Sequence, residues 1–402
     1  MRARHHPVTG HHRRRGAGLL LTAAVAGAAL AAGTVAVTTP VLTAHDGSAA
    51  AAGPPAAAPA APEEPVDTCV PMVAELSVRD RLAQRLMVGV DASDPEGAAR
   101  SVRESQVGGV FLGGNATELL QQDRMQALQD ASRTPLAVAV DEEGGRVQRI
   151  DELDGDIPSA REMAASRTPE QVTELARQRA EQLRARGVTW NLAPSVDVSD
   201  QPRTDVIGDR SFSDDPDTAT RYALAWAQGQ QAGGVYGVLK HFPGHGASSG
   251  DSHEGSVSVP PLAELERRDL LPYAALVGPG MPLDGRVGVM LGHLDVPGLT
   301  EDPASIDPAA YRLLRETYRF DGVVMTDDLG AMKAITDRFG LAEATTRALA
   351  AGADIALFSN VTPAGPLLDA AEQALADGRI SAEANDAAVA RILESKARCT
   401  RA

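Results

Sequence analysis

The sequence predicts an α/β protein, a (β/α)8 barrel of the TIM type forming a single catalytic domain. Three observations lead there. Eight short apolar runs alternate with helix-like segments, the runs carry almost no charge, and polar residues gather immediately after them. Alternating strand and helix signals with buried strands argue for a parallel sheet. Eight such units in one domain-sized chain argue for closure into a barrel, whose strands present chemistry at their carboxyl ends. An open, doubly wound sheet is the alternative that the same alternation permits.

The expected strands are Leu86–Val90, Gly109–Leu112, Leu136–Val140, Thr189–Ala193, Val235–Leu239, Val287–Leu291, Gly322–Thr326 and Asp354–Phe358. Each is a short apolar run of strand length. Helices are expected at Pro95–Glu104, Thr117–Ala131, Pro169–Arg186, Asp217–Ala232, Leu262–Leu276, Pro308–Tyr318 and Leu341–Ala351. Two more follow the last strand, at Ala364–Ala376 and Ala382–Ser395.

The barrel is expected to occupy residues 67–402. Ahead of it, Arg2, Arg4 and Arg13-Arg14-Arg15 precede an uncharged Ala/Gly/Leu-rich run from Gly16 to about Val41. A basic segment followed by an apolar one reads as an export signal, or as a signal anchor if it is left uncleaved, over residues 1–45. The Ala/Pro-rich stretch at residues 46–66 reads as a linker. The expected location is therefore outside the cell or at its wall, with membrane contact only through an uncleaved signal.

The full chain carries a net charge of −16. Without residues 1–45 there are 33 basic against 54 acidic side chains, a net of −21. An acidic domain without a basic patch excludes nucleic acid as a partner. Cys69 and Cys399, the only cysteines, flank the predicted barrel. An even count in an exported chain predicts a disulfide, and domain termini often lie close enough to be joined. The sequence does not set the oligomeric state; a monomer is the default expectation.

Polar residues fall where a barrel would use them. Asp141-Glu-Glu-Gly-Gly-Arg146-Val-Gln-Arg149 follows the third strand, Asp197 lies past the fourth, and Lys240-His241 follows the fifth. His293 comes after the sixth and Asp327-Asp328 after the seventh. Carboxylates, imidazoles and guanidiniums converging on one mouth suit a ligand rich in hydroxyls. Asp327 is placed to attack an electrophilic carbon, as the nucleophile of a retaining glycosidase does. His253 is a candidate acid/base. In an extended loop, residues two apart face one side, so Asp251 can orient its ring.

Simpler readings exist for each. Asp327 or Asp328 could cap the next helix, and Asp251-Ser-His253 could be a solvated turn. Lys240-His241 could be an ion-pair device at the rim, and Arg146 and Arg149 plain surface charges. A zinc site from His241, His245, Asp251, His253 and His293 is also conceivable. However, Pro243-Gly244 forbids a regular helix that would place His241 and His245 on one face. No metal or organic cofactor is expected.

Taken together, Lys240-His-Phe-Pro-Gly-His-Gly246 and Asp251-Ser-His253 resemble the signature of glycoside hydrolase family 3 β-N-acetylhexosaminidases. Asp141–Arg149, Gly208-Asp-Arg-Ser-Phe212 and Val324-Met-Thr-Asp-Asp-Leu329 resemble the family's other motifs in the right order. The resemblance spans about residues 75–395 and is to the branch with a single barrel domain. It implies Asp327 as nucleophile, His253 as general acid/base and Asp251 as its partner. It also implies that Asp141, Arg149, Arg210, Lys240 and His241 grip the sugar, that the acid/base loop is mobile, and that His245 braces that loop. Two departures stand out: Ala247-Ser248 where relatives often have Asp-Thr, and Glu142 where Gln is common. The implied activity is release of terminal GlcNAc from peptidoglycan fragments or chitooligosaccharides. The export signal argues against the 1,6-anhydro muropeptides handled by cytosolic relatives. A β-glucosidase specificity, or a silent wall-saccharide binder, are the competing functions. The residues leave open whether water or phosphate is the acceptor.

Overall fold

The computed structural model describes residues 67–401; the expected export segment and linker lie outside them. Eight strands close a barrel: β1 (Leu86–Gly89), β2 (Gly109–Phe111), β3 (Ala137–Val140), β4 (Trp190–Asn191), β5 (Tyr236–Phe242), β6 (Val287–Leu291), β7 (Val324–Asp328) and β8 (Ile355–Val361). Each pairs in parallel with its neighbours in sequence, and β8 returns to β1 with Leu86 opposite Ala356. The open-sheet alternative is thereby excluded.

Side chains alternate in and out along the strands, as the pleat requires. Met87, Phe111, Trp190, Val238, Met290, Met325 and Leu357 fill the interior. Bulk is balanced locally: Ala139 of β3 lies opposite Trp190 of β4, and Trp190 packs on Tyr236 with ring centroids 4.5 Å apart. Outward residues such as Leu86, Val88 and Val110 join the shell under the helices.

Helix starts follow a repeated device. Asp94, Thr168, Asp215 and Asp307 each accept a backbone N–H from the first turn, and each precedes a proline. Proline suits that position because its missing N–H would have had no helical partner. Three expected helices are interrupted. Leu262–Leu276 splits into Leu262–Leu265 and Leu271–Leu276, because Pro272 cannot continue a helix from the preceding turn. Thr117–Ala131 becomes a 3-10 turn at Glu118–Leu120 and a helix at Arg124–Ala131, with Gln122 at φ 55° between them. Pro308–Arg312 continues as a π turn over Leu313–Thr317. Among the described residues no helix is long and apolar enough to cross a membrane.

The two ends of the described residues meet beneath the barrel. Helix Cys69–Glu75 packs its Val73 against Val389 and Leu393 of helix Ala382–Ser395, and Ile392 of the latter reaches the interior core. Cys69 and Cys399 form the expected disulfide with Cα atoms 4.9 Å apart, beside a hydrogen bond from Thr68 N to Thr400 O at 2.9 Å. The link closes a loop across a sequence separation of 330 residues, so it removes much freedom from the unfolded chain. Cys69→Ser/Cys399→Ser is expected to lose about 2–5 kcal/mol. Thermal unfolding of the two proteins, with and without reductant, checks this: reductant should lower the wild type to the variant's midpoint and leave the variant unmoved.

Candidate active site

The carboxyl ends of the strands open into a cavity of about 520 Å³. Its lining includes seven of the eight residues to which the resemblance gives a catalytic or sugar-gripping role: Asp141, Arg149, Arg210, Lys240, His241, His253 and Asp327. Asp251 stands behind His253 and does not line it. Lys240 and His241 are not past their strand but within it, and Asp327 and Asp328 are the last residues of β7. Lys240, His241 and Asp327 are therefore carried by strands, while Asp141, Arg149, Arg210 and His253 come from the segments between elements or a 3-10 turn.

Asp327 is 6% exposed. The Asp328 backbone N–H donates to its Oδ1 at 2.9 Å, and no other hydrogen bond reaches its carboxylate among the described residues. Burial alone would raise its pKa. The nearby His241 and His293, with Lys240, outweigh burial and hold it below the usual carboxylate range. Asp327 is thus an ionised carboxylate facing the cavity. Its neighbour Asp328 serves the loop instead, accepting from Gly330 N at 2.8 Å and Ser359 N at 3.0 Å.

His253 lies on the segment after β5. Its Nδ1 is 2.8 Å from Asp251 Oδ1, and its backbone N–H donates to the same oxygen at 2.9 Å. The turn and the dyad are one arrangement: the oxygen that forms the turn also orients the ring. The His253 side chain is 57% exposed, open to solvent and to the cavity at once. Burial would raise the pKa of Asp251, but the backbone and ring of His253 hold it down. The segment is docked at its middle: Ala334 N donates to Ser252 O at 3.1 Å, and Ser252 Oγ contacts Met332 Sδ at 3.5 Å. Gly246 is fixed in place: Ser199 Oγ donates to its carbonyl at 2.8 Å, and a Cβ there would lie 1.9 Å from Val198 O.

A chain of charges underlies the floor. Lys240 Nζ donates to Asp141 Oδ1 at 2.6 Å and sits 2.6 Å from Glu143 Oε1. Arg210 grips Glu143 with two hydrogen bonds of 2.8 Å. Glu143, a residue of the Asp141–Arg149 motif without an expected role, is the shared counter-ion of both cations. Burial works against its charge, yet Arg210 and Lys240 hold its pKa far below the usual range. A depressed carboxyl stabilises the fold fully above the unfolded value of about 4.3, and that contribution is lost as pH falls below it. Glu143→Gln leaves two buried cations under-compensated. It is expected to cost about 3–5 kcal/mol and to flatten the acid side of the stability–pH curve; chemical unfolding at several pH values reads both.

His241 is oriented from behind. Its Nδ1 is 2.7 Å from Asp197 Oδ2, while Asp197 Oδ1 accepts from the backbone of His241 at 3.2 Å and of His245 at 2.7 Å. Burial opposes the Asp197 charge, but His241 and His245 keep its pKa well below normal. Arg149 is positioned through its backbone, where Arg149 N donates to Glu142 Oε2 at 2.6 Å. Its Nη1 donates to Gln148 O at 2.7 Å, and its Nε is buried without a partner. Arg146, by contrast, bonds Asp209 Oδ1 at 3.0 Å and does not line the cavity.

His293 is likewise structural, held between Ser305 Oγ at 2.6 Å and the Asp328 carbonyl at 2.8 Å. Among the described residues no cluster of His, Cys, Asp or Glu is arranged to hold a metal. The cavity also has a side that the sequence reading passed over: Asp91 after β1, Asn115 after β2, and Ser359 and Asn360 of β8. The rule that polar residues at strand ends face the mouth would have found them.

A barrel whose mouth joins an ionised strand-end carboxylate, a carboxylate-oriented histidine and a floor of paired charges is the architecture of a carbohydrate-cleaving enzyme. Residues 77–395 match the Glycosyl hydrolase family 3 N terminal domain, and the chain belongs to that family: it is a glycoside hydrolase acting on a carbohydrate. It is 48% identical over 355 residues to beta-hexosaminidase LpqI of Mycobacterium tuberculosis, covering 84% of this chain and 89% of that protein. A solved glycosyl hydrolase of the GH3 family from Mycobacterium smegmatis is 47% identical with a TM-score of 0.76, over 80% of this chain and 98% of that one. A family 3 beta-N-acetylglucosaminidase from Paenibacillus is 31% identical with a TM-score of 0.73, over 80% of this chain and 62% of that one.

Proposed function

We propose that the protein is an exported, retaining exo-β-N-acetylglucosaminidase that removes non-reducing terminal GlcNAc from peptidoglycan fragments or chitooligosaccharides. The observation that carries this reading is the pairing, at one cavity, of ionised Asp327 with the Asp251-oriented His253. Asp327 attacks the anomeric carbon as His253 protonates the leaving oxygen, giving a glycosyl-Asp327 intermediate. His253, now neutral, removes a proton from the incoming water, and Asp327 leaves. Asp141, Lys240, His241, Arg149 and Arg210 bracket the hydroxyls of the sugar, where charge-assisted hydrogen bonds are strong. Export rests on the basic and apolar N-terminal segments, and the GlcNAc specificity on likeness to named β-hexosaminidases.

The test compares a chromogenic β-GlcNAc glycoside with the matching β-glucoside. Turnover of the GlcNAc substrate alone supports the reading. Preference for the glucoside would point to a β-glucosidase, and binding without turnover to a silent saccharide binder.

A further inference from the structure

Directly behind the sugar-gripping floor lies a second polar cluster that the mechanism above does not use. Asp269 is 1% exposed, on the turn between Leu262–Leu265 and Leu271–Leu276. Tyr273, one turn further on, is wholly buried and stacks edge-on with Phe242 of β5 at 5.0 Å. His245 is buried too, its ring 5.5 Å from that of His241. Gly244 brings the β5 segment against Asp269: a Cβ at Gly244 would lie 2.4 Å from Asp269 Cβ and 3.3 Å from its Oδ1.

Among the described residues, three buried polar atoms of this region have no hydrogen-bond partner: Asp269 Oδ1, Tyr273 Oη and His245 Nδ1. Such atoms are uncommon and call for a physical reason. Their complementarity supplies one. Neutral His245 has an acceptor to offer at Nδ1, and the tyrosine hydroxyl can donate. An aspartate can donate as well, provided that it carries its proton. Where the atoms do not touch, one buried water can relay the bond.

Burial holds the proton on Asp269, and the charges around it divide, Arg268 against the proton and Asp197 and Glu264 for it. Asp197, already ionised and held by four donors, acts on Asp269 through a poorly polarisable interior, and Glu264 acts in the same sense. Arg268, next in the chain, opposes them. Burial is the largest influence, and together these push the Asp269 carboxyl up to about 7. His245 is pushed down to about 4, by burial first and then by His241. At neutral pH the cluster therefore holds an uncharged imidazole beside a carboxyl on the verge of ionising. Burial also pushes the Tyr273 hydroxyl up, so it stays protonated.

We propose that Asp269 is a positioning residue of the site, which as a neutral acid supplies a proton to the His245–Tyr273 cluster and so holds the Lys240–His245 segment in register with Asp197. Bonding at Nδ1 fixes the His245 tautomer that carries hydrogen on Nε2. Ionisation of Asp269 removes that donor and places a second negative charge near Asp197. The segment then loosens, and the grip on the sugar weakens. This inference rests on the reading of the cavity as the sugar site, but it needs no particular aglycone.

The test is the pH dependence of kcat/KM with a 2,4-dinitrophenyl β-GlcNAc glycoside. That leaving group departs without a proton, so the titration of His253 drops out of the step that kcat/KM reports. Wild type should lose activity about tenfold per pH unit above its alkaline midpoint. Asp269→Asn, a permanently neutral isostere, should retain wild-type kcat/KM at pH 6 and lack that limb. Asp269→Ala should be impaired at all pH values. A limb unchanged in Asp269→Asn overturns the proposal. If Asp269→Asn does not fold, infrared spectra of [13C]aspartate-labelled protein decide, in an Asp295→Asn background that removes the other aspartate with a raised pKa. A protonated-aspartate band lost with the midpoint of the activity limb supports the proposal, and its absence at pH 6 overturns it. Failure of the sugar-site reading looks different: no variant then turns over the GlcNAc substrate at any pH.

Discussion

Asp327→Ala is expected to lower kcat for β-GlcNAc glycosides on the order of 10⁴-fold while leaving the fold intact. The size follows from what the side chain does. It lies at the end of β7 with one oxygen held by the Asp328 N–H and the carboxylate facing the cavity. The carboxylates beside it on the cavity floor are otherwise engaged. Asp141 and Glu143 are tied to Lys240 and Arg210, and Asp328 is tied to its own loop. Asp327→Asn should lose nearly as much, because the negative charge rather than the shape makes the bond. The depressed pKa of Asp327 also fixes the sign of the pH effect. The carboxylate stays ionised as pH falls to the ordinary carboxylate range, so the acid limb of kcat/KM should lie below that range. Steady-state assays from pH 3 to 8, with circular dichroism as a folding control, check both statements.

His253→Ala is expected to show the second largest loss, about 10²–10⁴-fold with a poor leaving group. The loss should depend on the aglycone, which separates an acid/base from a binding residue. With a dinitrophenyl aglycone the first step no longer needs a proton, so a rapid release of one equivalent should precede slow turnover. Azide, a nucleophile that needs no base, should then restore turnover and give the β-glycosyl azide. Asp251→Ala should share this pattern more mildly, because it removes only the group that orients the ring. Rapid-mixing kinetics with and without azide read both variants.

The barrel was legible because its signal is repeated eight times. Each strand is a short apolar run, and four of the helices begin at an Asp-Pro or Thr-Pro step. What the pattern could not locate was where strands end. Apolar runs stop when side chains turn toward the cavity, but the backbone continues to pair. Thus β5 runs on through Lys240-His241 to Phe242, and β7 through Asp328, which lies opposite Leu357. The helices Cys69–Glu75, Val78–Gln84 and Ala160–Ser166 went unread, each only seven residues long.

The site divides in the same way. Residues carried by motifs are visible in the sequence, and all the expected catalytic and sugar-gripping ones but Asp251 line one cavity. Glu143 and Asp197 gained their roles only from folding, which brings Glu143 against Arg210, 67 residues away, and Asp197 against His241, 44 residues away. Asp269 was invisible for another reason. In the sequence it reads as one more polar helix residue, and only its spacing, four after Leu265 and four before Tyr273, both buried, sets it on the inward side.

The central claim is a covalent bond between substrate and Asp327, and trapping it is the most direct test. A 5-fluoro β-GlcNAc donor slows both steps by destabilising positive charge at the anomeric carbon, and an activated leaving group speeds the first. Rapid digestion and mass spectrometry should then find one sugar on the peptide containing Asp327. Turnover of the donor with no adduct, or with the sugar on another residue, would contradict the mechanism described here.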